Sequence, residues 1–525
     1  MIENGNIWFA NTETGEKICL PPYITNHHGL ITGADNAEVD LTARVLAEGF
    51  SSLGIPVIMT DIHRDLAGMM LPGTMSASLK KKLSRLKIDE TSFHFQGFPV
   101  TLWDIYGETG IPLRATLSEL GPVFISQMLH LNNPQKEALK TIYRVAAGEN
   151  LLLVDIKDLK AMVNYTREHI QKISLGYGQM KDTVLNELML ALSARSFESL
   201  DMFIGEPSLN ITDCLQAGYG GFGMVNILDS NLLVRDRMLY ASVLLWMLSE
   251  LKEVLPNAAD CDRPKAAFII DEAHLLFRDT NREFIEIAEQ AVRQLHQKGV
   301  SVFFCSQKVN DIPDEILKHL ENRIQLSPHA YTPVQLKDVR AVADLFRKNP
   351  TFDTFDALKS LGPGEALISL IGDNNRLLPV QKGYILPPQS FLSQVTDTNR
   401  EECIKGNFLY AKYSKAFDPD SAYEFLSRLS LQEADAAEQA KLEAIIAKEQ
   451  EKADAARVRQ EARRAQAEEN ARRLASTRIV GNTAAGTTAH ETAKNKSALK
   501  NKSGKKTSKK SKKNSGKGLF GFFFK

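Results

Sequence analysis

The sequence predicts an α/β fold built on a mainly parallel sheet, and three observations carry that expectation. The first is Gly29-Leu-Ile-Thr-Gly33, an apolar strand running into a loop and then into an amphipathic helix. The second is a later series of uninterrupted apolar runs, Ala266 to Ile270, Val300 to Cys305 and Ile324 to Leu326, separated by amphipathic helices. Strands buried on both faces read this way in parallel sheets. The third is Phe268-Ile-Ile-Asp-Glu272, a buried strand that ends in two adjacent carboxylates.

At 525 residues the chain is long enough for two or more domains. Its 43% hydrophobic and 24% charged content is ordinary for a soluble globular protein. No run of about 18 apolar residues and no basic-then-apolar leader occurs, so membrane spanning and secretion are not expected. Five cysteines, odd in number, far apart and without a Cys-x-x-Cys pair, point to a reducing cytoplasm and free thiols rather than metal ligation. Of the 64 basic and 64 acidic residues, only 15 and one, respectively, fall between Ala471 and Lys525. The zero net charge therefore hides an acidic body and a basic tail.

Taken in order, residues 1–28 read as an N-terminal β-hairpin, with Ile7-Trp-Phe9 and Ile18-Cys-Leu20 around a turn at Glu13 to Glu16. Residues 29–110 read as the first part of the sheet core. Val39, Ala43, Leu46, Phe50 and Leu53 recur at helical spacing, Gly54 ends that helix, and Ile55 to Thr60 forms the next strand, closing at Asp61. Phe93-His-Phe95 and Val100 to Asp104 look like short strands, and Lys80-Lys-Lys82 with Arg85 and Lys87 reads as a solvated helix face, with nucleic-acid contact as the alternative. Residues 111–215 read as a helical insertion, with a helix over Leu129 to Ala147 and helical pattern to about residue 202. The core resumes over 216–390 with Met224 to Leu228, a helix through Leu239 to Leu251 carrying Trp246, the three apolar strands, and a late hairpin of Ala366 to Ile371 and Gln381 to Leu386 around Asp373 to Arg376. Pro387-Pro388 then closes the body. Residues 391–476 form a C-terminal helical region, solvated from Gln432 onward, and 477–525 a basic tail too polar to fold, ending in the apolar Gly518-Leu-Phe-Gly-Phe-Phe-Phe524.

Chemistry concentrates at two strand ends. In a nucleoside triphosphatase, Asp271 would hold the shell of a magnesium ion and Glu272 would polarise water; capping of the next helix by Asp271 is the structural alternative. Gln307, after the Val300 strand, stands where open α/β sheets place ligands and would orient water or sense a phosphate, or simply cap a loop. Arg323, just before the Ile324 strand, would serve as an arginine finger or pair with a surface acid.

The order of Gly29 to Gly33, Ile58-Met-Thr-Asp61 with Asp65-Leu66, Leu102-Trp-Asp104 with Gly107-Glu108, Phe268 to Phe277, Lys298-Gly-Val300, Ser306-Gln307 with Asp311-Ile-Pro313, and Asn322-Arg323 resembles the bacterial HerA-like ATPases, and within them the YjgR subgroup. The likeness covers roughly residues 1–390. It implies a RecA/FtsK-like P-loop NTPase core, ATP and Mg²⁺ as cofactors, and a homo-oligomer, often a hexameric ring, that handles DNA.

The phosphate loop departs from that family. Where the family reads Gly-Ala-Thr-Gly-Thr-Gly-Lys-Thr, this chain has Gly33, Ala34, Asp35, Asn36, Ala37, Glu38, Val39 and Asp40. The second glycine, the lysine and the hydroxyl are all missing. Three carboxylates stand there instead, and at ~4 Å a like-charge pair costs about 4 kcal/mol at an effective dielectric of 20. As a helix start the same residues make sense: Asp35 and Glu38 have capping-box spacing, and acids suit the first turn.

Three readings follow. The chain is an ATPase-fold scaffold or regulator with impaired ATP binding, its Lys-rich tail touching DNA or another polyanion; or it is a working DNA-associated ATPase; or the tail is the functional part and recruits a partner or a membrane surface.

Overall fold

The structure is a computed structural model and describes residues 1–22, 27–193, 198–258, 263–278, 280–372 and 376–479. Residues 1–434 form one compact unit and 435–525 a second.

In the first unit, β1 (Ile2–Glu3), β2 (Asn6–Thr12) and β3 (Lys17–Leu20) form an antiparallel set. Then come β4 (His28–Thr32), helix α1 (Asn36–Ser52), β5 (Val57–Asp61), β6 (Val100–Asp104) and β7 (Ile111–Pro112). After a largely helical stretch follow β8 (Val225–Asp229), β9 (Ala266–Ile270), β10 (Val300–Ser306), β11 (Leu320–Leu326), β12 (Glu365–Ser369) and β13 (Gln381–Ile385). Among the described residues these make one sheet in the order β1-β2-β13-β12-β11-β4-β10-β9-β5-β8-β6-β7, with β3 on β2. Every pairing from β11 to β7 is parallel, while β12, β13 and β2 add an antiparallel wing.

Strands β4, β5, β8, β9 and β10 are buried residue by residue because both sheet faces are covered. Ile31, Ile227, Ile269 and Phe303 join Val39, Leu46 and Phe50 of α1 in one core. Their neighbours Leu30, Leu228, Ile270 and Phe304 point the opposite way and pack with the helices Arg237–Val254 and Arg282–Gln297. This period-two division follows from the strand pleat. Trp246 is buried on the latter side.

Three expectations change. Phe93 and Phe95 form no strand; their rings stack edge-on, 5.3 Å apart, and the adjacent backbone bonds to Gln389 rather than to a ladder. The helix expected from Leu129 starts at Asn133, because the preceding helix Leu117–Met128 ends there and Asn132 with Gln135 forms a capping box. Pro387-Pro388 does not close the body. Glu48, buried in α1, accepts the backbone N–H groups of Gln389 at 2.7 Å and Ser390 at 3.1 Å, and Arg44 donates to Ser390 Oγ and the Phe391 carbonyl. Beyond it the helices Asp397–Gly406 and Phe408–Tyr413 cover β6, with the Tyr413 ring 5.4 Å from that of Trp103 and Asn407 donating to Thr101 Oγ1.

The late hairpin forms as β12 and β13, while Asp373 to Asn375 lie outside the described residues. In the second unit, residues 435–479 continue a helix, Ala422–Ile479, and its described side chains there are exposed. The basic tail from residue 480 and its apolar end lie outside the described residues.

The Glu48 clasp yields a stability expectation. Glu48→Ala strands two backbone donors and the Arg44 guanidinium, so the urea midpoint should fall by the equivalent of about 3–5 kcal/mol, whereas Glu401→Ala on an exposed helix face should change it by less than about 0.5 kcal/mol.

Candidate functional site

The candidate site lies at the carboxyl edge of the parallel strands, where β4 turns into α1. Gly33 is fixed there by packing: a Cβ on it would sit 2.8 Å from Leu326 Cβ. Its loop is anchored by Ala34 N–H donating to the Ser327 carbonyl at 2.9 Å. Asp35 caps α1 as expected, accepting the Ala37 N–H at 3.0 Å. The capping box does not close, because Glu38 turns outward and accepts the Gly364 N–H at 2.8 Å, at the turn before β12. Val39, at the lysine place of the phosphate-loop pattern, is buried in the α1 core. Of the three carboxylates expected to converge, only Asp40 faces the strand ends; Asp35 and Glu38 are used as backbone acceptors. Asn36 joins Asp40 by donating its amide to Glu272 Oε1.

Opposite them stands a row of aspartates set by the strand order. The adjacent strands β9, β5, β8 and β6 end at or just before Asp271, Asp61, Asp229 and Asp104. Half of the row is compensated. Asp104 accepts the N–H groups of Tyr106, Glu108 and Thr109, and Asp229 binds Arg64 at 2.9 Å and the Thr109 hydroxyl at 2.6 Å. The other half is not. Asp61 uses Oδ2 to accept the Leu66 N–H, while its buried Oδ1 has no hydrogen-bond partner among the described residues. Burial, then the charges of Asp65 and Asp229, push the Asp61 carboxyl up to about 7. Asp271 accepts the Glu272 N–H at 2.7 Å and shares a hydrogen bond with Asp40. Desolvation followed by the neighbouring acids raises both of these carboxyls above the usual range, which favours the neutral form of each.

Glu272 behaves differently. It sits in the left-handed region at φ 45°, and its Oε2 lies 2.9 Å from His274 Nδ1 in an ion-pair contact without hydrogen-bond alignment. The contact lowers the glutamate and raises the imidazole. Asp271 caps no helix: the following short helix His274–Phe277 has Ala273 at its cap position. The strand-end acids are held from behind by Thr60, whose Oγ1 accepts the Asp271 N–H at 2.9 Å, and by Tyr240, whose hydroxyl donates to the Asp271 carbonyl at 2.7 Å.

Gln307 follows β10 and is exposed, lining a groove with Gln325 and Val339. Arg323 lies within β11, not before it, and its guanidinium donates to the carbonyls of Leu320 and Leu345 at 3.2 and 2.7 Å. It pairs with no acid among the described residues. The geometry therefore gathers Asn36, Asp40, Asp271 and Glu272 and leaves Arg323 apart. Sequence reasoning passed over His63 and His274. His63 follows β5 on the loop that Asp61 closes, and its Nε2 lies 3.8 Å from Asp40 Oδ2.

Residues 7–511 match the family described as Helicase HerA-like C-terminal. The chain belongs to this HerA-like family of P-loop ATPases. It is 23% identical over 370 residues to the DNA double-strand break repair helicase HerA of Sulfolobus acidocaldarius, covering 69% of this chain and 66% of that one, a little under two thirds of the relative's length. Among solved structures it is similar to the bacterial conjugative coupling protein TrwBΔN70, at 12% identity and a TM-score of 0.50 over 75% of this chain and 92% of that one. It is also similar to VirB4 of Thermoanaerobacter pseudethanolicus, at 16% identity and a TM-score of 0.47 over 76% and 99%. The sheet with its flanking helices is a RecA/FtsK-like core.

The acid cluster sets a pH dependence. A carboxyl whose folded pKa is raised keeps a proton that the unfolded chain has lost, so stability falls as pH rises from about 4 through about 7 and then levels. Asp40→Asn keeps the shape and removes one buried charge. Its urea midpoint at pH 8 should exceed the parent's by the equivalent of about 1–3 kcal/mol, with a shallower fall between pH 4 and 7.

Proposed function

We propose that this HerA-like chain works as a scaffold or regulatory protein that does not hold ATP and Mg²⁺ at the Gly33–Asp40 loop. The observation that carries the reading is the part-buried Asp40 carboxyl beside Asp271, with the Asn36 amide on Glu272. A triphosphate needs backbone N–H groups, a lysine and a hydroxyl-bound magnesium ion at this place. Here the lysine place is a buried valine, the hydroxyl place is an acid, and an arriving phosphate would meet a carboxylate where like charges cost about 4 kcal/mol at ~4 Å. The residues present do not fit the cofactor pair, and the loop offers no group to support a hydrolytic step.

The basic residues 480–525 would supply contacts to DNA or another polyanion, and such binding weakens steeply with salt. The family's likeness to a DNA repair helicase supports DNA as the polyanion. Assembly with further copies of the chain in the cytoplasm belongs to the same reading.

One observation favours a second reading, a DNA-associated ATPase with phosphate contacts from elsewhere. His274 holds Glu272 ionised beside Asp271, the state a water-polarising base requires.

Titration of the full chain with fluorescent ATP-Mg²⁺, with and without duplex DNA, separates the two. The scaffold reading expects no saturable binding up to about 1 mM, and gain of binding when Glu38→Gly, Val39→Lys and Asp40→Thr are combined. Micromolar binding by the parent chain, together with a DNA-stimulated ATPase that Glu272→Gln abolishes, would establish the second reading instead.

A further inference from the structure

We propose that Asp40, His63 and Asp271 form a binding site for a divalent transition-metal ion, Zn²⁺ or Mn²⁺, that is filled without nucleotide. One His63 nitrogen and one oxygen from each aspartate all lie within 4.8 Å of one another. The three come from separate elements: helix α1, the loop after β5 and the turn after β9. The ion would therefore join the loop to the sheet edge.

The row of strand-end aspartates supplies the reason. At its β8–β6 half, arginine and backbone N–H groups meet the carboxylates. At its β9–β5 half, no lysine or arginine among the described residues pairs with Asp40, Asp61 or Asp271; the nearby Arg44 donates to the carbonyl of Asp65 instead. An independent observation points the same way. Asp61 is 3% exposed and lines the same small cavity as Asp40, His63 and Asp271, and its Oδ1 is buried without a hydrogen-bond partner. Asp61 thus adds an unneutralised acid to the cavity wall beside the three ligands. A cation is the missing component.

The donor set selects the ion. Zinc and manganese accept mixed imidazole and carboxylate ligands, whereas magnesium prefers all-oxygen octahedra and keeps its water. Ligand atoms about 2.1 Å from a metal stand about 3–3.5 Å apart, so His63 Nε2, now 3.8 Å from Asp40 Oδ2, must move inward. His63 can supply that movement because its side chain is 55% exposed. The loop carrying it is already oriented: Arg64 adopts φ 62° and bonds Asp229, and the Asn231 amide donates to the Ile62 carbonyl at 2.8 Å.

The test uses the full-length, metal-stripped chain without nucleotide, so that its failure leaves the ATP titration and its reading untouched. Calorimetric titration should show one equivalent of Zn²⁺ or Mn²⁺ bound at concentrations where Mg²⁺ does not bind. Asp40→Asn and His63→Ala should each weaken binding about tenfold or more while circular dichroism stays unchanged. Should either variant misfold, electron spin-echo modulation of the Mn²⁺ complex of the parent chain must still reveal a coordinated imidazole nitrogen. Absence of stoichiometric binding, equal affinity in both folded variants, or a Mn²⁺ complex with no nitrogen ligand would each overturn the proposal.

Discussion

Two carboxyl groups that cannot both be charged, Asp40 and Asp271, constrain the whole carboxyl edge of the sheet. They lie partly buried beside one another, and desolvation with the neighbouring acids favours a proton or a cation at the pair. The surrounding residues are arranged around that requirement. Asp35 and Glu38 find backbone N–H partners away from the pair, and Asn36 takes up one oxygen of Glu272. His274 balances the other. The local result is two neighbouring acids with opposite behaviour: Asp271 is driven toward neutrality and Glu272 toward ionisation, by burial in one case and by an imidazole in the other.

The loop between β4 and α1 is held by packing as much as by polar contacts. Gly33 has no room for a side chain against Leu326, and Val39 fills the core beneath the sheet. Both facts tie the loop's course to β11 and to α1 rather than to any ligand. A loop retained by core packing keeps its path when the residues along its exposed side change, because apolar burial contributes most of what holds it in place. That accounts for a strand, loop and helix in phosphate-loop order around residues that supply neither lysine nor hydroxyl.

Much of this was legible in the sequence. β4, α1 and β5 announced themselves through apolar runs and helical spacing, and β9 through a hydrophobic run cut off by two acids, because these signals are local. The Asp35 cap was readable for the same reason. What failed was what depends on partners distant in the chain. Glu38 looked like the second half of a capping box, but its acceptor role is taken up by Gly364, 326 residues away. Nothing local to Glu48 shows that it holds Gln389 and Ser390, so Pro387-Pro388 looked like an end. His63 carried no motif; its meeting with Asp40 and Asp271 exists only because β5 pairs with β9. Strand order in a parallel sheet is set by crossovers, which composition and periodicity do not encode.

The strand order also explains why the edge is electrically uneven. With β9, β5, β8 and β6 side by side, four strand-end aspartates fall in one line, an arrangement that simple repulsion would oppose. The Asp229 end tolerates it through Arg64 and Arg400, the latter carried by the helix Asp397–Gly406, which packs on β6 after the sheet is complete. Among the described residues the β5–β9 end has no such cation paired with its aspartates. The segment Gln389 to Phe391 engages Arg44 through the Ser390 hydroxyl and the Phe391 carbonyl and thereby commits that guanidinium to neutral acceptors. The same clasp that secures the segment after Pro388 thus leaves Asp40, Asp61 and Asp271 to be neutralised by protons or by an added ion. Stability of the body and polarity of the site are linked through one arginine.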